Sequence, residues 1–337
     1  MHSPFQPYLL RVGLALAGVV LLVWAYVAFL PMAYMEGGYP AWVAKTQMLR
    51  RCELGDVAFL GDSRLEAGVE PRLLPVPASN FGVAAGTAVE TRITVDRALT
   101  CPNPPRQAVV SLSPEHFGAL SRFFWLLSVR YGFVSPGDLW ATETLAGSLG
   151  DTQALAARTP DGLSGRLRDW LYAVRFPSLS FGSLVQGRVF GRYAANEARL
   201  RAVLADRGWS EYAQVDNPAP EPVRFDRTAL QSAEFEAALA ALRQHGIPVR
   251  LLIMPSAQEP ERAAEYLAYL ADVAKRFPGV DLATRTVPIW PASLFADGIH
   301  LNGAGAKLFS ERLAACMGPD GLQGNCDFDW HADTATR

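Results

Sequence analysis

Apolar and polar positions divide this chain into three regimes. From Val12 to Leu30 no residue is charged and most are aliphatic. A helix of about 19 residues is about 28 Å long, close to the thickness of a bilayer core. From Asp56 onward, short apolar runs alternate with segments of helical period. Asp56–Leu60, Ala78–Val83, Gln107–Leu112, Pro248–Met254 and Val280–Ala283 read as strands. Helices are expected over Tyr39–Arg51, Thr228–Gln244, Tyr266–Phe277 and Gly303–Cys316, and from Thr87 to about Leu99. Thr87 and Glu90 have the spacing of a capping box, and His245-Gly246 supplies a helix stop. Strands that alternate with helices predict an α/β fold: a parallel sheet covered on both faces, in three layers.

The third regime, Phe117 to Arg227, breaks that alternation. It is rich in aromatic residues (Phe123, Phe124, Trp125, Tyr131, Trp140, Trp170, Tyr172, Phe176) and arginine, and it ends in a charged helix over about Arg192–Arg207. Asp216–Pro222 is proline-rich and reads as a linker or loop. The expectation is a helical insertion at about 117–227 within one domain of residues 36–337, preceded by an anchor over residues 1–35. Such an insertion forms a lid, a substrate platform or a membrane-facing surface, or it packs its aromatics as core beneath long loops.

Arg11 precedes the apolar segment, and Trp24 and Tyr26 lie toward its far end, where interfacial aromatics collect. A cleaved leader is the rival reading. The run is long for a leader, and Pro31 to Met35 offers no small-x-small cleavage site. An uncleaved anchor is therefore expected. Lys45, Arg50 and Arg51 downstream leave its orientation open. The chain has 337 residues, half of them hydrophobic, and a net charge of −2. That suffices for a sizeable core and gives no basic surplus for nucleic acid. No Cys-x-x-Cys occurs and the five histidines are scattered, so neither a metal nor a cofactor is expected. Cys52, Cys101, Cys316 and Cys326 make an even set, and Cys316 with Cys326 suits a disulfide in an oxidising compartment. Four free thiols in the cytoplasm satisfy the same count.

Two short blocks carry the chemistry. Gly61-Asp62-Ser63-Arg64 follows the first strand, and Asp297-Gly298-Ile299-His300 lies near the C-terminus. Either block alone reads equally well as a turn with a helix cap. Together they supply a nucleophile, a base and an orienting carboxylate. A serine hydroxyl needs an imidazole to take its proton, and the imidazole needs a carboxylate to fix its tautomer. Asp297 and His300 are three apart, so one helical turn or a tight loop puts both on one side. The first turn of a helix opening at Ser63 offers N–H groups to an oxyanion. Of the other histidines, His245 is expected to cap a helix C-terminus, and His2 and His331 are terminal. His116 ends the third strand, in either a site role or local packing. Arg64 either holds a substrate carbonyl or anion or makes a surface salt bridge.

On these blocks the chain resembles the SGNH (GDSL-like) hydrolase and acyltransferase superfamily, over most of Asp56 to Cys316. The resemblance implies a flavodoxin-like, SGNH-type domain with Ser63, Asp297 and His300 as the catalytic triad. The stretch Asn80 to Thr87 resembles the family's second block, which puts an oxyanion N–H at Ala85 or Gly86 beside that of Ser63. The third block departs from the family pattern. Glu115 stands roughly where the family has an oxyanion-binding asparagine, and an ionised carboxylate repels an oxyanion. His116 or Ser113 is then the candidate donor. Ser113-Pro114 followed by Phe117 is similar to what membrane-anchored members show, such as the teichoic acid D-alanine transfer protein and the alginate-type and cellulose-type O-acetyltransferases. That subset implies a single-pass protein of the cytoplasmic membrane with its catalytic domain in the periplasm. It also implies a membrane-bound O-acyltransferase as acyl supplier, a polysaccharide or other glycan as acceptor, and acetyl as the group moved. A carbohydrate esterase with the same triad, and a non-catalytic scaffold of a polysaccharide-modifying complex, are the alternatives.

Overall fold

The computed structural model describes residues 5–155, 167, 170–216, 219–220 and 223–330. Its centre is a five-stranded parallel sheet of β1 (Val57–Gly61), β2 (Ala78–Asn80), β3 (Gln107–Ser111), β4 (Val249–Leu251) and β5 (Val280–Leu282), in the order β2-β1-β3-β4-β5. The order reverses between β1 and β3, and at such a switch point the carboxyl ends of the strands leave a crevice. Alternate residues of the central strands feed separate cores. Ala58, Leu60, Ala108 and Val110 pack with Val89 of α4 (Ala88–Leu99), Leu239 of α8 (Ala229–Gln244) and Leu270 of α9 (Ala263–Arg276). Val57, Phe59 and Val109 pack with Leu65 of α3 (Ser63–Gly68) and with Phe309 and Leu313 of α10 (Gly303–Ala315). Both faces of the sheet are thus covered, as the near-continuous apolar strands require.

The expected elements are present, and the strands that differ most from expectation are β2 and β4. β2 ends at Asn80 rather than Val83, although the Phe81 and Val83 N–H groups still reach the Phe59 and Gly61 carbonyls of β1 at 2.8 and 3.1 Å. On its outer side the Asn80 N–H donates to the Arg207 carbonyl of the insertion at 2.8 Å. β4 ends at Leu251 rather than Met254. Both truncated ends lie at the carboxyl edge, where the chain leaves the ladder to build loops. The Thr87–Glu90 capping box opens α4, and His245 Nδ1 meets the Ala241 carbonyl at 2.9 Å as α8 ends.

The insertion holds α5 (Pro136–Ser148), α6 (Pro177–Gln186), the charged helix α7 (Tyr193–Ala205) and a π-helical turn at Phe124–Val129. Phe124, Trp125 and Tyr131 are core residues, whereas Trp140 is exposed. The expected linker at 216–222 falls partly outside the described residues, as do His2 and His331.

Helix α1 (Phe5–Phe29) is long and apolar enough to cross a membrane. Its last turns touch the body. Trp24 Nε1 donates to the Val174 carbonyl at 3.0 Å, the Tyr26 hydroxyl donates to the Val189 carbonyl, and Arg175 donates to the Ala28 carbonyl at 3.0 Å. Tyr34 and Met35, just after it, are fully buried ahead of α2 (Tyr39–Arg50). Cys316 and Cys326 form the expected disulfide, around a small hairpin of β6 (Met317–Gly318) and β7 (Gly321–Leu322). Cys52 and Cys101, which the sequence left unpaired, bridge the segments following α2 and α4.

Candidate active site

The turn that carries Ser63 is shaped by its neighbours. β1 and β3 approach so closely at Gly61 that a Cβ there would lie 1.8 Å from the Ser111 carbonyl oxygen, so no other residue fits. Asp62 then caps α3, its Oδ1 accepting from the N–H groups of Arg64 (3.0 Å) and Leu65 (3.4 Å). Asn80, at the end of β2, holds the far end of this short helix by donating to the Leu65 and Val69 carbonyls, each at 2.9 Å. Ser63 is thereby fixed at the first helical position, at the sheet's carboxyl edge.

The C-terminal block reaches the same edge by a tight turn, one of the two geometries its spacing allows, and the helix opens only after it. Asp297 Oδ1 accepts from the N–H groups of Ile299 (2.9 Å) and His300 (2.8 Å), while α10 begins later, capped by Asn302. Asp297 Oδ2 lies 2.7 Å from His300 Nδ1, and His300 Nε2 lies 2.8 Å from Ser63 Oγ. Burial pushes the Asp297 carboxyl up. The His300 hydrogen bond and charge, with the two backbone N–H groups, outweigh it and hold the carboxyl at about 2. Asp297 is thus ionised at neutral pH and fixes the tautomer that leaves Nε2 free to accept the serine proton.

A second carboxylate–imidazole pair stands beside the first. Asp62 Oδ2 accepts from the Ser113 N–H at 2.6 Å and meets His116 Nδ1 at 3.1 Å. Burial works against charge on His116, but the Asp62 hydrogen bond and charge, helped by Glu115 and Glu90, raise it to about 9. Asp62 is likewise held well below the usual carboxylate range, its burial outweighed by His116 and Ser113. His116 is therefore an imidazolium at neutral pH. Its Nδ1 is spent on Asp62, and the ring lines the same cavity as Ser63 and His300.

The remaining sequence candidates separate. Among the described residues, the N–H groups of Ser63 and Ala85 make no hydrogen bond, and both residues line the cavity. Ala85 has φ +53°, a left-handed conformation that costs an alanine about 1 kcal/mol. The Gly86 N–H is not available, because it closes a turn onto the Val83 carbonyl at 2.9 Å. The Ser113 N–H is likewise spent on Asp62. Arg64 makes neither of the contacts expected of it. It is 4% exposed and donates to the Pro255 carbonyl at 2.8 Å, away from the cavity. Glu115 lines the cavity, with one carboxylate oxygen buried and unpartnered among the described residues.

Three residues escaped the sequence reading. The Tyr212 ring stacks on His300, centroids 4.1 Å apart and planes 21° from parallel. Its hydroxyl donates to Glu66 at 3.0 Å, and Glu66 pairs with the buried Lys45 of α2 at 2.7 Å. Burial draws the Lys45 ammonium below its usual value against the pull of Glu66. Burial, then the charge of Glu66, holds Tyr212 far above its ordinary value, as a neutral phenol that donates. Lys45 had a sequence signal: it sits three residues from Trp42 and Met48, on the apolar stripe of its helix. Tyr212 lies in an irregular segment with no such signal.

Ser63 opens into a cavity of about 590 Å³. Phe123 and Leu127, then Val223, Arg224 and Asp226, bring the insertion into its wall. The result is a largely apolar pocket with a few convergent polar groups. A scan against protein-family models and searches of curated proteins and of solved structures found no match to this chain.

Proposed function

We propose that the protein is a membrane-anchored, extracytoplasmic O-acyltransferase of SGNH type. It passes an acyl group, acetyl in the simplest case, through Ser63 to a hydroxyl of a cell-envelope glycan. The observation that carries this reading is the continuous chain Asp297–His300–Ser63, at 2.7 and 2.8 Å, opening into a cavity at the carboxyl edge of a parallel sheet. In this reading Ser63 Oγ attacks the acyl carbonyl while His300 Nε2 takes its proton. The oxyanion accepts hydrogen bonds from the Ser63 and Ala85 N–H groups and from the imidazolium of His116, in place of the family's asparagine. The intermediate collapses as His300 returns the proton to the leaving group, and acyl-Ser63 remains. A sugar hydroxyl then gives its proton to His300, attacks the ester and carries the acyl group away, and Ser63 regains its proton.

The anchor reading is supported by the bonds from Trp24, Tyr26 and Ala28 to the body, which a cleaved leader would forfeit. Two disulfides favour an oxidising compartment and hence an extracytoplasmic domain. A membrane-bound O-acyltransferase is the expected acyl supplier.

Labelling with a serine-directed fluorophosphonate tests the nucleophile, with Ser63→Ala as control. An acetyl donor offered with envelope oligosaccharides tests the transfer. The expected product is acetylated sugar. Free acetate alone would replace transfer by hydrolysis, and an unlabelled, inert protein would leave a binding scaffold, the reading that Glu115 at the asparagine position favours.

A further inference from the structure

We propose that Val174 to Tyr193, the segment containing α6, is an interfacial platform seated in the headgroup–acyl boundary of a lipid bilayer beside α1. This rests on the reading of α1 as a membrane anchor. The first argument is depth. The apolar span Pro7–Phe29 has 23 residues, about 34 Å of helix against a bilayer core of about 30 Å. Trp24 and Tyr26 lie about 7.5 and 4.5 Å inside the Phe29 end of that span, at the helical rise per residue. They bind the Val174 and Val189 carbonyls. Their rings meet those of Phe176 and Phe190 at 5.5 and 5.2 Å. Both ends of the platform are thereby tied to the last turns of the span, at the level where indole and phenol rings meet headgroups.

The second argument is what the platform shows outward. Phe181, Val185 and Phe190 are 67%, 61% and 61% exposed, and Val189 nearly half. Helix α6 contains no charged residue, and Arg188 beside it is exposed, as a cation facing lipid headgroups would be. Single exposed apolar side chains are ordinary. Four within ten residues, continuous with an apolar helix, form a patch that water does not favour and an acyl boundary does.

Every native cysteine is in a disulfide, so one engineered cysteine takes a nitroxide label cleanly. Full-length protein in phosphatidylcholine–phosphatidylglycerol vesicles would be labelled separately at Phe181→Cys, at Leu16→Cys within the span, and at Lys307→Cys on α10. The collision rates of each label with oxygen and with a water-soluble nickel chelate are then compared. The expected oxygen-to-nickel ratio is high at 16, low at 307, and at 181 several-fold above that at 307. A ratio at 181 equal to that at 307, with 16 high, would overturn the platform and leave the anchor standing. A low ratio at 16 would overturn both.

Discussion

Two aspartate–histidine pairs meet at one sheet edge, and they are built for different work. Asp297 has a side chain 31% exposed, and its histidine touches the serine hydroxyl. Asp62 has no exposure at all, and among the described residues its histidine makes no hydrogen bond to a triad member. On the proposed reading, the first pair aligns a base with a proton that must move. The second buries its carboxylate among N–H donors and so holds a charge in place. Burial and hydrogen bonding of the carboxylate, more than the identity of the pair, divide proton transfer from fixed electrostatics.

The comparison breaks first at the triad. Ser63→Ala and His300→Ala should each abolish fluorophosphonate labelling and lower turnover by roughly 10⁴- to 10⁶-fold, and the double variant should be no worse than either. His116→Ala should cost about 10²-fold in turnover, the size of one oxyanion donor, while Ser63 still labels. Equal losses at His116 and His300 would end the division of labour, and unchanged turnover in His116→Ala would remove the donor role. Tyr212→Ala, which frees the His300 ring, should lower kcat roughly 10-fold with little change in KM, and Tyr212→Phe should recover most of it by keeping the stack.

Protonation sharpens the contrast. His116 is raised to about 9 in the folded protein against an unfolded value near 6.5. Its contribution to stability is therefore fully present below about pH 6.5 and is lost as pH climbs through 9. Melting temperatures from pH 6 to 10 should fall across that window in the wild type, and less in His116→Gln. Turnover should show an alkaline limb near pH 9 that His116→Gln lacks. The smallest effect is expected at Ala85. Ala85→Gly relieves left-handed strain and adds chain entropy, for a net stabilisation of roughly 0.5 kcal/mol. A clear destabilisation would show that the methyl group packs against something the cavity needs.

The sheet and its helices were legible because apolar runs, a capping box and helix stops are local signals. Ser63, Asp297 and His300 were legible because each lies in a short block beside a readable element. Arg64 was misplaced because a charged residue next to a nucleophile carries no local mark of the carbonyl that will take it inward. The pairing of Asp62 with His116 spans 54 positions and follows from the register of β1 on β3, which alternation predicts only as adjacency. Tyr212 reaches His300 from an irregular segment of the insertion, where neither period nor motif operates.

The join between α1 and the body has a consequence for how long the protein stays where it is made. Membrane proteins released by proteolysis are usually cut in an extended stalk. Here Ala33, Tyr34 and Met35 are core residues, the Asn196 amide clamps the Met32 and Met35 carbonyls at 3.0 Å each, and the Tyr34 hydroxyl reaches back to Val27 at 2.8 Å. A protease would have to unfold part of the core before it found a substrate strand. On the anchored reading, shedding is therefore a poor route to a soluble form, and the protein's working life is tied to that of its membrane.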